Sequence, residues 1–149
     1  MKVLFICKFN VGRSQIAESF FNKFTRRHHA ISAGIDSYYL KKYGNKISDI
    51  PHEPVLDVMS EIGINMTKKK IKMVNKKMVK NSNIIIALMR KDRAKKDLPK
   101  YILSSPKFRI WETKDVSGRQ NISSMIEAHR RNRNKIQNLV KKLTAQLEK

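Results

Sequence analysis

Cysteine is almost missing from this sequence: Cys7 stands alone in 149 residues. One cysteine cannot form an internal disulfide, so a reducing cytoplasm is the expected setting. The same count excludes a multi-cysteine zinc site. Long apolar runs are missing too, and none approaches the roughly 20 residues that cross a bilayer. The opening MKVLFICKFN has too short an apolar stretch for a secretory signal, and no small-residue cleavage site follows it. His28, His29, His52 and His129 lack metal-ligand spacing and read as surface or partly buried residues. No metal is expected. No repeat, low-complexity tract or domain boundary interrupts the chain, so residues 1–149 read as one domain.

Acids are scarce, 12 against 33 Lys and Arg, for a formal net charge of +21. That balance suits polyanions, phosphorylated substrates or acidic surfaces, and it equally suits a solvated lysine coat. The base-stacking aromatic motifs of nucleic-acid binders are absent, so nucleic acid is not the expected partner. Apolar residues make up 40%, enough to fill one core.

Lys2 to Cys7 reads as a strand buried on both faces, since Val3, Leu4, Phe5 and Ile6 run without alternation. From Ser14 the period becomes helical, with Ile16, Ala17, Phe20, Phe21 and Phe24 recurring up to about Arg27. Ala30 to Ala33 is a second brief strand. Ile35 to Pro54, with Pro51, Gly44 and three tyrosines, reads as an irregular surface loop. Pro54 opens a helix that turns Val55, Val58, Met59 and Ile62 inward and closes at Gly63. A short helix near Asn75 to Lys80 precedes a buried strand, Asn83 to Leu88. A short charged helix comes before Pro99, and Phe108 to Trp111 is the fourth strand. The last helix spans about Ile122 to Leu147, with Ile122, Ile126, His129, Arg133, Ile136, Val140, Leu143 and Leu147 inward. Arg133 there reads as a snorkelling side chain or the partner of an acid. Strands alternating with helices predict a three-layer α/β/α fold around a central four-stranded parallel sheet. Ligands in such sheets sit beyond the carboxyl ends of the strands. The first strand ends at Cys7.

Cys7 to Ser14 reads CKFNVGRS, lying between that strand and a helix. A strand-to-helix loop can turn its N–H groups inward and cup a tetrahedral oxyanion, here through Lys8, Phe9, Asn10, Val11, Gly12 and Arg13. Gly12 permits a backbone conformation that a Cβ would oppose. Arg13 can hold two phosphate oxygens through its fork of donors. Cys7 beneath that ring is expected to rest as a thiolate, with Ser14 stabilising the sulfur. Alone, Cys7 would read as an inert core residue; with Arg13 and Ser14 at this spacing it reads as a nucleophile.

VLFICKFNVGRSQIAESFF resembles the active-site loop of the low-molecular-weight protein tyrosine phosphatase superfamily, a strand followed by C-x-x-N-x-x-R-S and a helix. The related thioredoxin-coupled arsenate reductases share the loop, and the QIAESFF continuation resembles their branch. ISAG (31–34), PVLDVMSEIGIN (54–65), NIIIALMRKD (83–92) and WETKDVSG (111–118) resemble later family elements in the family's order. The resemblance implies Cys7 as nucleophile, Arg13 as phosphate clamp, Asn10 and Ser32 as loop supports, and Asp115 as general acid. By itself Asp115 would read as an ordinary turn residue before Ser117 and Gly118.

The chain departs from the family in several places. Val116 stands where proline usually follows the acid, so a less rigid acid loop is expected. Ser117 and Gly118 replace aromatics that wall a phenol crevice. Tyr38 or Tyr39, with Phe9, could supply a wall instead, or simply pack the loop. Gly12 replaces a second cysteine that protects the nucleophile. The implied activity is cofactor-free hydrolysis of a phosphorylated protein, chiefly phosphotyrosine, or of a small phosphomonoester. The alternative is reduction of arsenate, a phosphate-like oxyanion, with an external thiol, since the chain has no resolving cysteines. A basic nucleic-acid-binding protein with a vestigial loop is the third reading. Lys68, Lys69 and Lys70 are expected near the rim of the site or on a solvated face.

Overall fold

Val3 and Phe5 of strand β1 (Lys2–Cys7) join one buried cluster, and Leu4 and Ile6 join a second on the opposite face. Side chains alternate across a strand, so an unbroken apolar run needs cover on both sides. The structure, a computed structural model, describes residues 1–116 and 121–149. Three further strands pair in parallel: β2 (His29–Gly34), β3 (Ile84–Leu88) and β4 (Phe108–Trp111). Their order is β2-β1-β3-β4. Successive connections leave β1 in opposite directions, so the switch point lies at the carboxyl ends of β1 and β3. Cys7 and Leu88 stand there.

Helices α1 (Arg13–Phe24), α3 (Pro54–Ser60) and α7 (Ile122–Leu147) supply side chains to the Val3–Phe5 cluster. Helices α4 (Lys76–Asn81), α5 (Lys91–Asp97) and α6 (Lys100–Leu103) cover the Leu4–Ile6 face. The expected three-layer α/β/α architecture is present. Within the larger cluster Phe21 meets Phe5 edge-on at 6.0 Å between ring centroids.

Two expectations are corrected. The 35–54 stretch is not an irregular loop throughout: it forms α2 (Tyr38–Tyr43) and a 3-10 turn (Ile47–Asp49). Ile47 and Ile50 are buried. The cause is a strap across the chain, with Ile47 N–H donating to Lys69 O at 3.0 Å and Ile71 N–H to Asn45 O at 2.7 Å. Ile122 is not inward but 57% exposed, so the apolar stripe of α7 starts after its first residues. Arg133 pairs with an acid: its guanidinium donates to Glu61 Oε1 at 2.7 Å and Val58 O at 2.8 Å, tying α7 to α3. No helix among the described residues is long and apolar enough to cross a membrane.

Candidate active site

Seven residues around the end of β1 form one hydrogen-bond network, with Lys69 as its counter-charge. Asn10 sits at its centre with φ +62°, a left-handed conformation that asparagine tolerates better than most residues. Its Oδ1 accepts from the Lys72 backbone N–H at 2.9 Å and from Gln15 Nε2 at 3.0 Å. A backbone N–H can only donate, so the amide orientation is fixed. Nδ2 therefore faces two hydroxyls, Ser14 Oγ at 2.8 Å and Ser32 Oγ at 3.0 Å. Ser32 passes its own proton to Glu18 Oε1 at 3.2 Å, and Lys69 balances that carboxylate. Ser14 accepts from Asn10 and keeps its hydroxyl proton available for Cys7 Sγ, 3.0 Å away. A thiolate sulfur would be the acceptor at the end of the chain. Cys7, Asn10, Ser14, Gln15 and Ser32 are all buried.

Gly34, paired in register with Cys7, matters for space: a Cβ there would come within 2.8 Å of the Phe9 carbonyl carbon and 2.9 Å of Asn10 N. Gly12 also matters for space: a Cβ there would meet His129 Cε1 at 3.2 Å.

Arg13 is buried, and its Nη2 faces Asp115 Oδ1 at 3.6 Å. Both line a cavity of about 300 Å³ that also touches Lys8, Ile35 and Met89. The Asp115 loop is held from α7 and α5. Asn132 Nδ2 donates to Lys114 O at 2.9 Å, Lys135 Nζ to Glu112 O at 2.6 Å, and Lys91 N–H to Glu112 Oε2 at 2.9 Å. Val116, in place of the family's proline, is buried and serves as an apolar anchor. Ser117 and Gly118 lie outside the described residues.

The aromatic residues form a cluster of their own. Phe9 meets Tyr39 edge-on at 4.9 Å, and Tyr39 meets Tyr38 at 5.1 Å and Tyr43 at 6.1 Å. Neither Phe9 nor Tyr38 lines the Arg13 cavity, and Tyr38 is 46% exposed. Val11 is buried in the larger core cluster. Two of the three lysines at 68–70 reach the network: Lys69 through its ammonium on Glu18, and Lys70 through its backbone O, which accepts from Gln15 Nε2 at 2.9 Å.

Sequence reasoning missed a buried pair behind the loop. His129 of α7, expected inward on its helix and at most partly buried, lies against Gly12 with Nε2 3.7 Å from Glu53 Oε1. Burial, then the nearby Arg13 charge, lowers the His129 pKa to about 4. Burial raises that of Glu53, outweighing the Val55 N–H bond. Both shifts favour the uncharged forms, so the contact is not an ion pair at neutral pH. Burial, then Glu53, raises the Tyr39 phenol. The helical period of α7 placed His129 inward; nothing local in the sequence paired it with Glu53.

The pattern of one family, described as low molecular weight phosphotyrosine protein phosphatase, matches residues 2–149. No curated protein matches the chain by sequence. Solved structures share the fold. A low molecular weight phosphotyrosine phosphatase from Vibrio cholerae O395 is 19% identical with a TM-score of 0.76, over 100% of this chain and 97% of that one. The YwlE arginine phosphatase from Geobacillus stearothermophilus is 19% identical with a TM-score of 0.71, over 99% and 96%. An arsenate reductase in a phosphate-binding state is 23% identical with a TM-score of 0.71, over 97% of each. With the match running from the second residue to the last, the chain belongs to the low molecular weight phosphotyrosine protein phosphatase family of hydrolases.

Proposed function

We propose that this chain is a cysteine-dependent phosphatase that hydrolyses phosphomonoesters, chiefly protein phosphotyrosine, through a phosphocysteine intermediate. The observation that carries the reading is the hydrogen-bonded chain ending on Cys7 Sγ, one residue before Lys8, which lines a cavity where Arg13 and Asp115 face each other. Cys7 Sγ attacks phosphorus opposite the leaving oxygen. The S–P bond forms as the P–O ester bond breaks, and Asp115 gives its proton to the departing oxygen. Arg13 and the N–H groups of residues 8–13 hold the remaining oxygens. Water then attacks phosphorus, Asp115 takes its proton, and the S–P bond breaks to release phosphate. Ser14 donates to the sulfur at rest and as it leaves. Neither a metal nor an organic cofactor takes part in these steps.

Hydrolysis of p-nitrophenyl phosphate by wild type, Cys7→Ser and Asp115→Asn tests this. Cys7→Ser should be inactive. Asp115→Asn should lose about a hundredfold or more on phenyl phosphate, whose leaving group needs the proton, and much less on p-nitrophenyl phosphate. Equal losses on the two substrates would remove Asp115 from the acid role. The cup would hold arsenate as readily as phosphate. Arsenate consumption that needs an added thiol, with no phosphatase turnover, would favour the reductase reading.

A further inference from the structure

The Arg13 cavity continues past Lys8 into a second groove, since Lys8, Ile35, Arg93 and Asp97 line both. Its charges pair unevenly. Arg90 meets Asp92 at 3.1 Å, and Arg93 meets Asp97 at 3.9 Å. Asp36 Oδ1 accepts from the Tyr38 N–H at 2.9 Å, and Asp115 faces Arg13. Each carboxylate of the two grooves thus has a cation or an N–H beside it. Lys8 and Lys96 are left over: among the described residues no carboxylate lies within 4.0 Å of either ammonium.

Lys8 is well placed to meet an anion. Its carbonyl accepts from the Ile35 and Asp36 N–H groups at 2.9 and 2.8 Å, which fixes its backbone. Its Nζ lies 5.0 Å from the Phe9 ring centroid, and the residue is half-buried. A cation supported in this way loses less side-chain freedom when an anion arrives.

We propose that this groove is a subsite for a carboxylate carried beside the scissile phosphate, so that the preferred substrates are phosphotyrosine peptides with an acidic residue next to the phosphorylated one. The inference rests on the phosphatase reading and narrows its substrate class. The +21 field of the whole chain would attract any anion; lining the groove is what assigns the preference to these two side chains.

The probes are two short phosphotyrosine peptides, one with glutamate on both sides of the phosphotyrosine and one with alanine. Wild type should favour the glutamate peptide about fivefold in kcat/KM, the upper range for a partly exposed ion pair. Lys8→Met with Lys96→Met should bring the ratio to about one, and added salt should erode it. Lys142→Met, on α7 outside both grooves, removes the same charge and should leave the ratio unchanged. A ratio that survives the double substitution, or that Lys142→Met lowers equally, overturns the subsite. Calorimetry on Cys7→Ser reads the same comparison without turnover. Tighter binding of the glutamate peptide that depends on Lys8, with no hydrolysis of either peptide by wild type, would keep the groove and sink the phosphatase reading. Equal affinities would overturn the groove whatever the turnover.

Discussion

At Gly12 and His129 two residues far apart in sequence share one volume. Gly12→Ala places a methyl 3.2 Å from the His129 ring, and overpacking of this kind costs about 1 kcal/mol. The variant should melt earlier and turn over more slowly. Adding His129→Ala should restore part of both, making the pair less damaging than the sum of the single changes. His129 also has a pH signature. Its folded pKa of about 4 lies below the ordinary 6.5, so the unfolded chain takes up a proton that the folded chain refuses between those values. Stability therefore falls as pH drops from 6.5 to 4, by about 3 kcal/mol for this group. Glu53 acts in the opposite sense: its raised pKa removes stability as pH rises above 4.5. Denaturant melts of wild type and His129→Gln separate the two, and wild type should lose more stability on acidification. Parallel curves would mean that His129 titrates normally.

Among the elements, burial makes Phe21 of α1 the most direct test of the larger cluster. It is fully buried against Phe5, and Phe21→Ala should cost about 3–5 kcal/mol in chemical denaturation. Elements whose pattern is local could be read without coordinates. The run Val3 to Ile6 announced β1, the run Ile84 to Leu88 announced β3, and the four-three spacing from His129 to Leu143 announced the buried stripe of α7. The 3-10 turn could not be read this way. Ile47 and Ile50 are buried because residues 69–71 cross over and bond the chain there, and no periodicity in 35–54 encodes that crossing. Helix α6 is four residues long, too short to show a period.

For the whole molecule, the surplus of 21 positive charges should speed encounter with anionic substrates. Raising salt from about 0.05 to 0.5 M shortens the screening distance and should lower kcat/KM for p-nitrophenyl phosphate several-fold. A flat response would mean that the net charge is spread so evenly that the site feels little of it. The site itself was legible to the extent that it is contiguous. Cys7, Asn10, Arg13 and Ser14 lie within eight residues, and the family resemblance placed Ser32 and Asp115. Gln15, Lys72, Glu53 and His129 were not legible as partners, because each meets the loop through folding geometry rather than spacing.

The bond from Lys72 reaches Asn10 across 62 residues of sequence and decides which way the Asn10 amide points. A half-folded intermediate containing only β1, α1 and β2 would have Cys7, Arg13 and Ser14 in place, yet its Asn10 amide would lack the one partner that fixes its orientation. Refolding followed by turnover should therefore show a lag behind recovery of helical signal, lasting until the later segment docks. Cys7 would gain its final surroundings only when the segment around Lys72 docks, after the loop that carries it has already formed.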